Sequence, residues 1–295
     1  DNTGVANITV NGIDANSADV CGLQSLSLSK TSFSCSALGT NTVQLTGIDS
    51  SGNISSEPAT ITVKDTIHPT VITNDIDIYL DATGSATINS TDVDNGSFDN
   101  CNFTRSLDVT SFDCSDTGLN TVTLTVTDTA NNLSSSEATV TVYDTISPTI
   151  NFSTPNIYLD SSGQATITAS DIDNGSIDNC QVDTMWLSQY SFQCSDAGSN
   201  TLAFYVEDVN GNVSSTALQV LVKDTITPTV LTHDTTIYLD NTGVATITVN
   251  GIDSNSADVC GLQSLSLSKT SFSCSALGTS TVQLTGIDSS GNISS

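Results

Sequence analysis

The sequence predicts an all-β chain: a tandem array of small antiparallel β-sandwich domains. Three observations predict this. The stretch Val63-Lys64-Asp65-Thr66-Ile67-His68-Pro69-Thr70 returns around Asp144 and then Asp224, at successive intervals of 79 and 80 residues, which is the length of one small domain. Between these marks, short apolar–polar alternations recur and no segment sustains a 3.6-residue period, so helices are not expected. Clusters of Asp, Asn, Gly and Ser separate the alternating runs and supply turns.

Taken in order, the repeat that starts at Asp65 reads as six or seven short strands. Ile76–Leu80 alternates, Asp81-Ala-Thr-Gly84 turns, and Ser85–Thr91 is rich in Thr and β-prone. An acidic loop over 92–100 follows. Phe103–Val109 and Ser111–Cys114 read as short strands, and Asp116-Thr-Gly118 turns. Asn120–Thr127 places Val122, Leu124 and Val126 on one face, Asp128–Asn132 makes a tight turn, and Glu137–Tyr143 closes the repeat with Val140 and Val142. This spacing of strands argues for a sandwich.

The expected domains are therefore 1–64, 65–143, 144–223 and 224–295. The first lacks a counterpart of residues 65–80 and the last a counterpart of 57–63. Residues 1–56 and 240–295 differ only at Asn7/Thr246, Ala15/Ser254 and Asn41/Ser280, so a longer period of three domains is superimposed. The expectation is a slice of a much longer chain.

Domains this short, with 37% hydrophobic and 5% aromatic residues, have thin cores and need a supplementary staple. Cysteine is one candidate. Cys21/Cys35, Cys101/Cys114, Cys180/Cys194 and Cys260/Cys274 fall two to a repeat, 13 or 14 residues apart, which reads as one local disulfide per domain. Zinc is the rival, but it lacks a CxxC pair and a companion histidine. Disulfides place the chain in an oxidising compartment, extracellular or at the cell surface.

Acidic side chains are the other candidate. Against five Lys plus Arg stand 32 acidic residues, all Asp except Glu57, Glu137 and Glu207, for a formal charge of −27. Such a surface repels nucleic-acid phosphates and anionic headgroups, so nucleic acid and the membrane surface are excluded as partners. No apolar run reaches transmembrane length and no signal peptide opens the chain.

The repeated pattern resembles a known family. Asp-Thr-x-x-Pro opens the repeat, Asp99-Asn100-Cys101 and Asp178-Asn179-Cys180 mark its middle, and Asp-x-x-Gly-Asn (Asp49–Asn53, Asp208–Asn212, Asp288–Asn292) stands near its end, before a final Val-x-Val. This is similar to the hyalin-repeat (HYR) branch of immunoglobulin-like domains and to the Ig-like repeats of giant bacterial surface adhesins. Near-identical blocks, a Ser/Thr/Asp-rich composition and scarce Lys most resemble adhesins of Bacteroidetes such as the flavobacterial gliding adhesin. Departures are Asn131 at the turn-glycine position, and Asp-Val-Cys at Asp19–Cys21 and Asp258–Cys260. The resemblance implies Ig-like sandwiches in an extended array.

In an Ig-like sandwich the first strand and the B–C and F–G loops share one end of the domain. Asp65 is then expected beside Asp94, Asp99 and Asp128. The equivalent sets are Asp144/Asp173/Asp178/Asp208 and Asp224/Asp253/Asp258/Asp288, with Asp14, Asp19 and Asp49 in the first repeat. Converging carboxylates without a basic partner repel, and a hard cation resolves the conflict. Oxygen-only ligands in flexible loops select calcium. The competing reading is ordinary turn chemistry for the same aspartates. Asp92 and Asp171, replaced by Gly12 and Gly251 in the other repeats, are candidates for a second ligand set.

Asp-Thr-Ile also resembles the site at which Bacteroidetes attach O-glycans, which marks Thr66, Thr145 and Thr225 as modification candidates. Trp186 alone breaks the repetition. Strand alternation turns it outward, between Met185 and Leu187, as a possible ligand contact for glycan or protein; a register shift would instead make it a core Trp. For catalysis the pattern offers nothing: His68 and His233 are not equivalent in the repeat and no nucleophile motif is present. The functional expectation is the stalk of a long cell-surface adhesin, not an enzyme, stiffened by disulfides and calcium and projecting a distal adhesive region for surface attachment or gliding. Its partners are the other domains of the same chain, with neighbouring adhesin chains or surface glycans as further ones. The alternatives are repeats that themselves bind glycans or partner chains, or that assemble into a surface fibre.

Overall fold

The computed structural model describes residues 1–295 and is built almost wholly of strands. The chain forms two compact units, Asp1–Thr145 and Ile146–Ser295, and its sheets fall into four successive groups. The group within 76–143 shows the plan. A four-stranded sheet runs in the order Ile76–Tyr79, Leu133–Tyr143, Gly118–Asp128, Phe103–Leu107, and Ser85–Thr87 pairs with Ser111–Asp113 in a second sheet. All pairs are antiparallel except one: Ile76–Tyr79 lies parallel to Leu133–Tyr143, with Ile76 opposite Val140. The first strand therefore joins the end of the last. The same parallel edge recurs between Asn156–Tyr158 and Val213–Lys223.

Alternation explains the core. Along Gly118–Asp128, Val122, Leu124 and Val126 are buried, while Phe112 faces them from the short sheet. In the next repeat Leu202, Phe204 and Val206 take the same places opposite Phe192. The period of two carries the inward face one step past the apolar residues, onto Asp128, Asp208 and Asp288, which are 4%, 2% and 0% exposed. On the neighbouring strand the step beyond Val142 is Asp144, and beyond Val222 it is Asp224, both buried. The strands thus run straight into the aspartates of the repeat ends.

Helix is confined to single turns. Ser90–Val93 and Ala169–Ile172 are held by capping boxes, in which Asp92 Oδ2 accepts the Asn89 N–H at 2.7 Å and Asp171 Oδ2 the Thr168 N–H at 2.7 Å. Where Gly12 and Gly251 replace these aspartates, the box is missing and a 3-10 turn stands instead. Asp92 and Asp171 are therefore helix caps, and the second ligand set expected of them is not formed.

The local disulfides expected from the cysteine spacing are not formed either. Cys35 bonds Cys101 and Cys194 bonds Cys260, each pair 66 residues apart and in successive repeats. Cys114 and Cys180 are also oxidised, while Cys21 and Cys274 are free and exposed. The strand registers give the reason. Cys101 precedes Phe103, which lies opposite Asp128, whereas Cys114 precedes Gly118, at the other end of the same strand. Eleven residues separate the ends, about 33 Å at roughly 3.3 Å per residue. A disulfide needs Cα atoms within about 7 Å, so the two cysteines of one repeat cannot meet and each is placed to meet a neighbour's.

Candidate metal centre

The meeting of the first two repeats is built on Asp65, one alternation step beyond Val63 of the strand Ile54–Val63. Its Oδ1 accepts the Ile67 N–H at 3.1 Å and an Asn100 Nδ2 hydrogen at 3.3 Å. Pro69 is buried, and Thr70 bridges Phe98 in both directions at 2.8 and 3.0 Å. The segment is thereby seated against the loop that carries Asp99, Asn100 and Cys101. Asp99 Oδ2 accepts the Cys101 N–H at 2.7 Å, and Cys101 is covalently tied to Cys35.

A carboxylate oxygen of Asp65, one of Asp99 and the Cys101 sulfur lie within 4.8 Å of one another. Asp65 Oδ2, Asp99 Oδ1 and Asn100 Oδ1 are buried atoms with no hydrogen-bond partner. Two carboxylates this close repel by roughly 3 kcal/mol at an effective dielectric near 20. Buried acceptors left unsatisfied add about 1–3 kcal/mol each. The disulfide removes the sulfur as a thiolate ligand, which leaves oxygen donors suited to a hard cation. The residues present fit calcium: Asp65 and Asp99 would supply charge and Asn100 a neutral oxygen.

The arrangement recurs at the meeting of the last two repeats. Asp224, Asp258 and Cys260 bring ligand atoms within 4.8 Å, and Asp258 Oδ2 is buried without a partner. Asp224 Oδ1 accepts the Ile226 N–H at 3.0 Å, and its Oδ2 accepts the Ser290 hydroxyl at 3.0 Å. Val259 stands where the second repeat has Asn100, so this site has one oxygen fewer.

The other predicted ligands are engaged by the protein. Asp128 Oδ1 accepts the Ala130 and Asn132 N–H groups at 2.8 and 2.7 Å, and its Oδ2 accepts Asn132 Nδ2 at 2.7 Å. That same amide nitrogen reaches the Asp65 and Ile67 carbonyls, each at 3.2 Å. Asn292 repeats all of this with Asp288, Asp224 and Ile226, and Asp49 and Asp208 organise their turns through Asn53 and Asn212. Asn131 supplies the turn's left-handed residue at φ +69°, as Gly52, Gly211 and Gly291 do elsewhere.

Asp94 has the basic partner that the sequence reading did not anticipate, Arg105 Nε at 3.0 Å. Burial pushes its carboxyl up, but the Ser97 hydroxyl and N–H together with Arg105 outweigh that and hold it below the ordinary range. Asp173 and Asp253 accept the Ser176 and Ser256 N–H groups at 2.9 and 3.0 Å, and Asp14 accepts Ser17 at 2.9 Å. Asp178 and Asp19 cap the Cys180 and Cys21 N–H groups as Asp99 does for Cys101. Asp178 Oδ1 is again a buried oxygen without a partner. Four expected ligands per repeat thus divide into two that shape loops and two that carry uncommitted oxygens. Asn100 was missed as a donor, though the Asp-Asn-Cys motif marked its place.

Thr66, Thr145 and Thr225 are exposed. Trp186 lies on the face opposite Met185 and Leu187, which turn to the core, and stacks on Tyr205 at 5.1 Å with the rings 5° apart. His68 Nδ1 contacts the Leu133 carbonyl at 2.9 Å and His233 lies near Asp253, with no nucleophile assembled around either.

No protein-family model matches the chain, and no curated protein matches it. Among solved structures it is similar to the protocadherin GammaB4 extracellular domain, at TM-score 0.31 and 15% identity, covering 87% of this chain and 54% of that one. It is similar to the protocadherin gammaB7 EC3-6 cis-dimer at TM-score 0.30 and 14% identity, covering 90% and 85%. Drosophila OTK extracellular domains 3-5 follow at TM-score 0.29 and 12% identity, covering 67% and 78%. The chain spans about half the length of the first of these structures. Likenesses this loose carry no argument about function.

Proposed function

We propose that this chain is a run of four Ig-like repeats, 1–64, 65–143, 144–223 and 224–295, that serves as the stalk of a long bacterial cell-surface adhesin. It works outside the cell, where its disulfides persist, and its joints bind calcium through Asp65 with Asp99 and Asp224 with Asp258. One observation carries the reading: at a single joint the chain places a covalent cross-link between successive repeats beside buried carboxylate oxygens that nothing in the protein satisfies. An enzyme has no use for a cross-link at every repeat boundary; a strut that transmits force does. Titration calorimetry on chelator-treated protein tests the calcium role. Calcium uptake is expected, reduced by Asp65→Asn with Asp99→Asn, and heat no different from buffer would end this reading.

The alternative, direct binding of glycans or partner chains, is favoured by the Trp186–Tyr205 ring pair on the outer face of its sheet. Binding on a glycan array that disappears with Trp186→Ala would support it. Modification of Thr66, Thr145 or Thr225 belongs to the same proposal, and an intact mass equal to that of the bare polypeptide removes it.

A further inference from the structure

The two free cysteines are the unpaired halves of a junction that the chain builds twice. One half is a loop in which an aspartate caps the cysteine N–H: Asp99 on Cys101 at 2.7 Å and Asp258 on Cys260 at 2.8 Å. Cys21 has the same cap, from Asp19 at 2.7 Å, followed by Gly22 at φ +97° as Gly261 follows Cys260 at +104°. The other half is a socket in which a cysteine sulfur faces a glycine carbonyl. Cys35 Sγ stands 3.6 Å from Gly4 O and Cys194 Sγ 3.7 Å from Gly163 O. Cys274 Sγ stands 3.8 Å from Gly243 O. Both free thiols already occupy the places their counterparts hold when bonded.

The surroundings agree. In the joined sockets the glycine is where the next repeat arrives: a Cβ on Gly4 would meet Asn100 O at 2.5 Å, and one on Gly163 would meet a Val259 methyl at 3.2 Å. A Cβ on Gly243 would meet nothing but Cys274 Sγ, at 3.0 Å. On the complementary half, Val259 is 44% exposed where it meets its socket, and Val20, its counterpart, is 102% exposed. The sequences of 1–56 and 240–295 differ at three positions, none of them in either half-junction.

We propose that the Cys274 end of one copy of this chain docks the Cys21 end of a second copy and closes the same disulfide, joining copies head to tail. The step is a two-electron oxidation. The Cys274 and Cys21 thiols lose two hydrogens and form one S–S bond, while a small disulfide such as oxidised glutathione accepts both and is cleaved to two thiols. Because the halves differ, the pairing is heterologous and does not close on itself, so it propagates.

The test incubates the purified chain with a glutathione redox buffer, then separates it on a non-reducing gel and maps the disulfides by mass spectrometry. The wild-type chain is expected to give a ladder of covalent multimers. Cys21→Ser and Cys274→Ser alone should each remain monomeric, and their equimolar mixture should stop at a dimer. The linked peptide in that dimer should be Cys274–Cys21, at least ten-fold in excess over symmetric pairs. Symmetric pairs in comparable yield would overturn the proposal, since they show collision of exposed thiols without docking. So would wild-type protein that stays monomeric, whether reduced at both thiols or closed within one chain.

Discussion

Asn132 shows how much one side chain carries here. Its amide nitrogen satisfies buried Asp128 and holds two carbonyls of the segment that enters from the preceding repeat. Asn132→Ala leaves Asp128 Oδ2 buried without its donor and both carbonyls released. A loss of about 2–3 kcal/mol is expected by chemical denaturation, against less than about 0.5 kcal/mol for an exposed control such as Ser134→Ala. The final Asn of Asp-x-x-Gly-Asn was visible in the sequence as part of a motif, but its reach across the joint was not. A side chain's partners 65–68 residues away leave no local trace.

Among elements, the turns were the most legible. Asp81, Asp160 and Asp240 each open a turn that closes on a glycine two residues before the next strand, and each accepts N–H groups two and four residues on. The hydroxyl of Thr83, Ser162 or Thr242 contributes most to holding these carboxyls below the ordinary 3.8. A depressed folded-state pKa means stability that is present above 3.8 and lost as pH falls through the lower folded value. The thermal midpoint is therefore expected to be flat from about pH 7 to 5 and to fall below about pH 4. Replacing the three aspartates by Asn keeps the turns, removes the titration and should flatten part of that acid limb in a melting series; an unchanged limb would assign the acid loss elsewhere. Strands were legible for the same local reason, because Val122, Leu124 and Val126 alternate in any context. The parallel edge at Ile76–Tyr79 and the cross-repeat disulfides were not, since both depend on which ends of the sandwich two distant segments reach. The constant 66-residue separation was in the sequence, yet it gains meaning only once the strand Gly118–Asp128 is known to separate the two cysteines of one repeat.

At the scale of the whole molecule, the joint combines two devices that reinforce each other. A disulfide closing a 66-residue separation restricts the unfolded chain by about 4 kcal/mol in the entropic model, against about 3 for the local loop first expected. Calcium adds stability by mass action, near 2.7 kcal/mol at a hundred times its dissociation constant. Asp65 arrives from one repeat and Asp99 from the next, and the Cys35–Cys101 bond anchors the loop two residues from Asp99. Cutting the bond by Cys35→Ser with Cys101→Ser should therefore weaken calcium binding as well as the fold. Denaturation measured with and without calcium, in both backgrounds, forms a cycle that isolates this coupling. A coupling of at least about 1 kcal/mol is expected, with calcium stabilising the cross-linked chain more than the cut one. Effects that add within about 0.5 kcal/mol would mean that the carboxylates are held in place without the disulfide, and that the joint is two independent devices sharing one address.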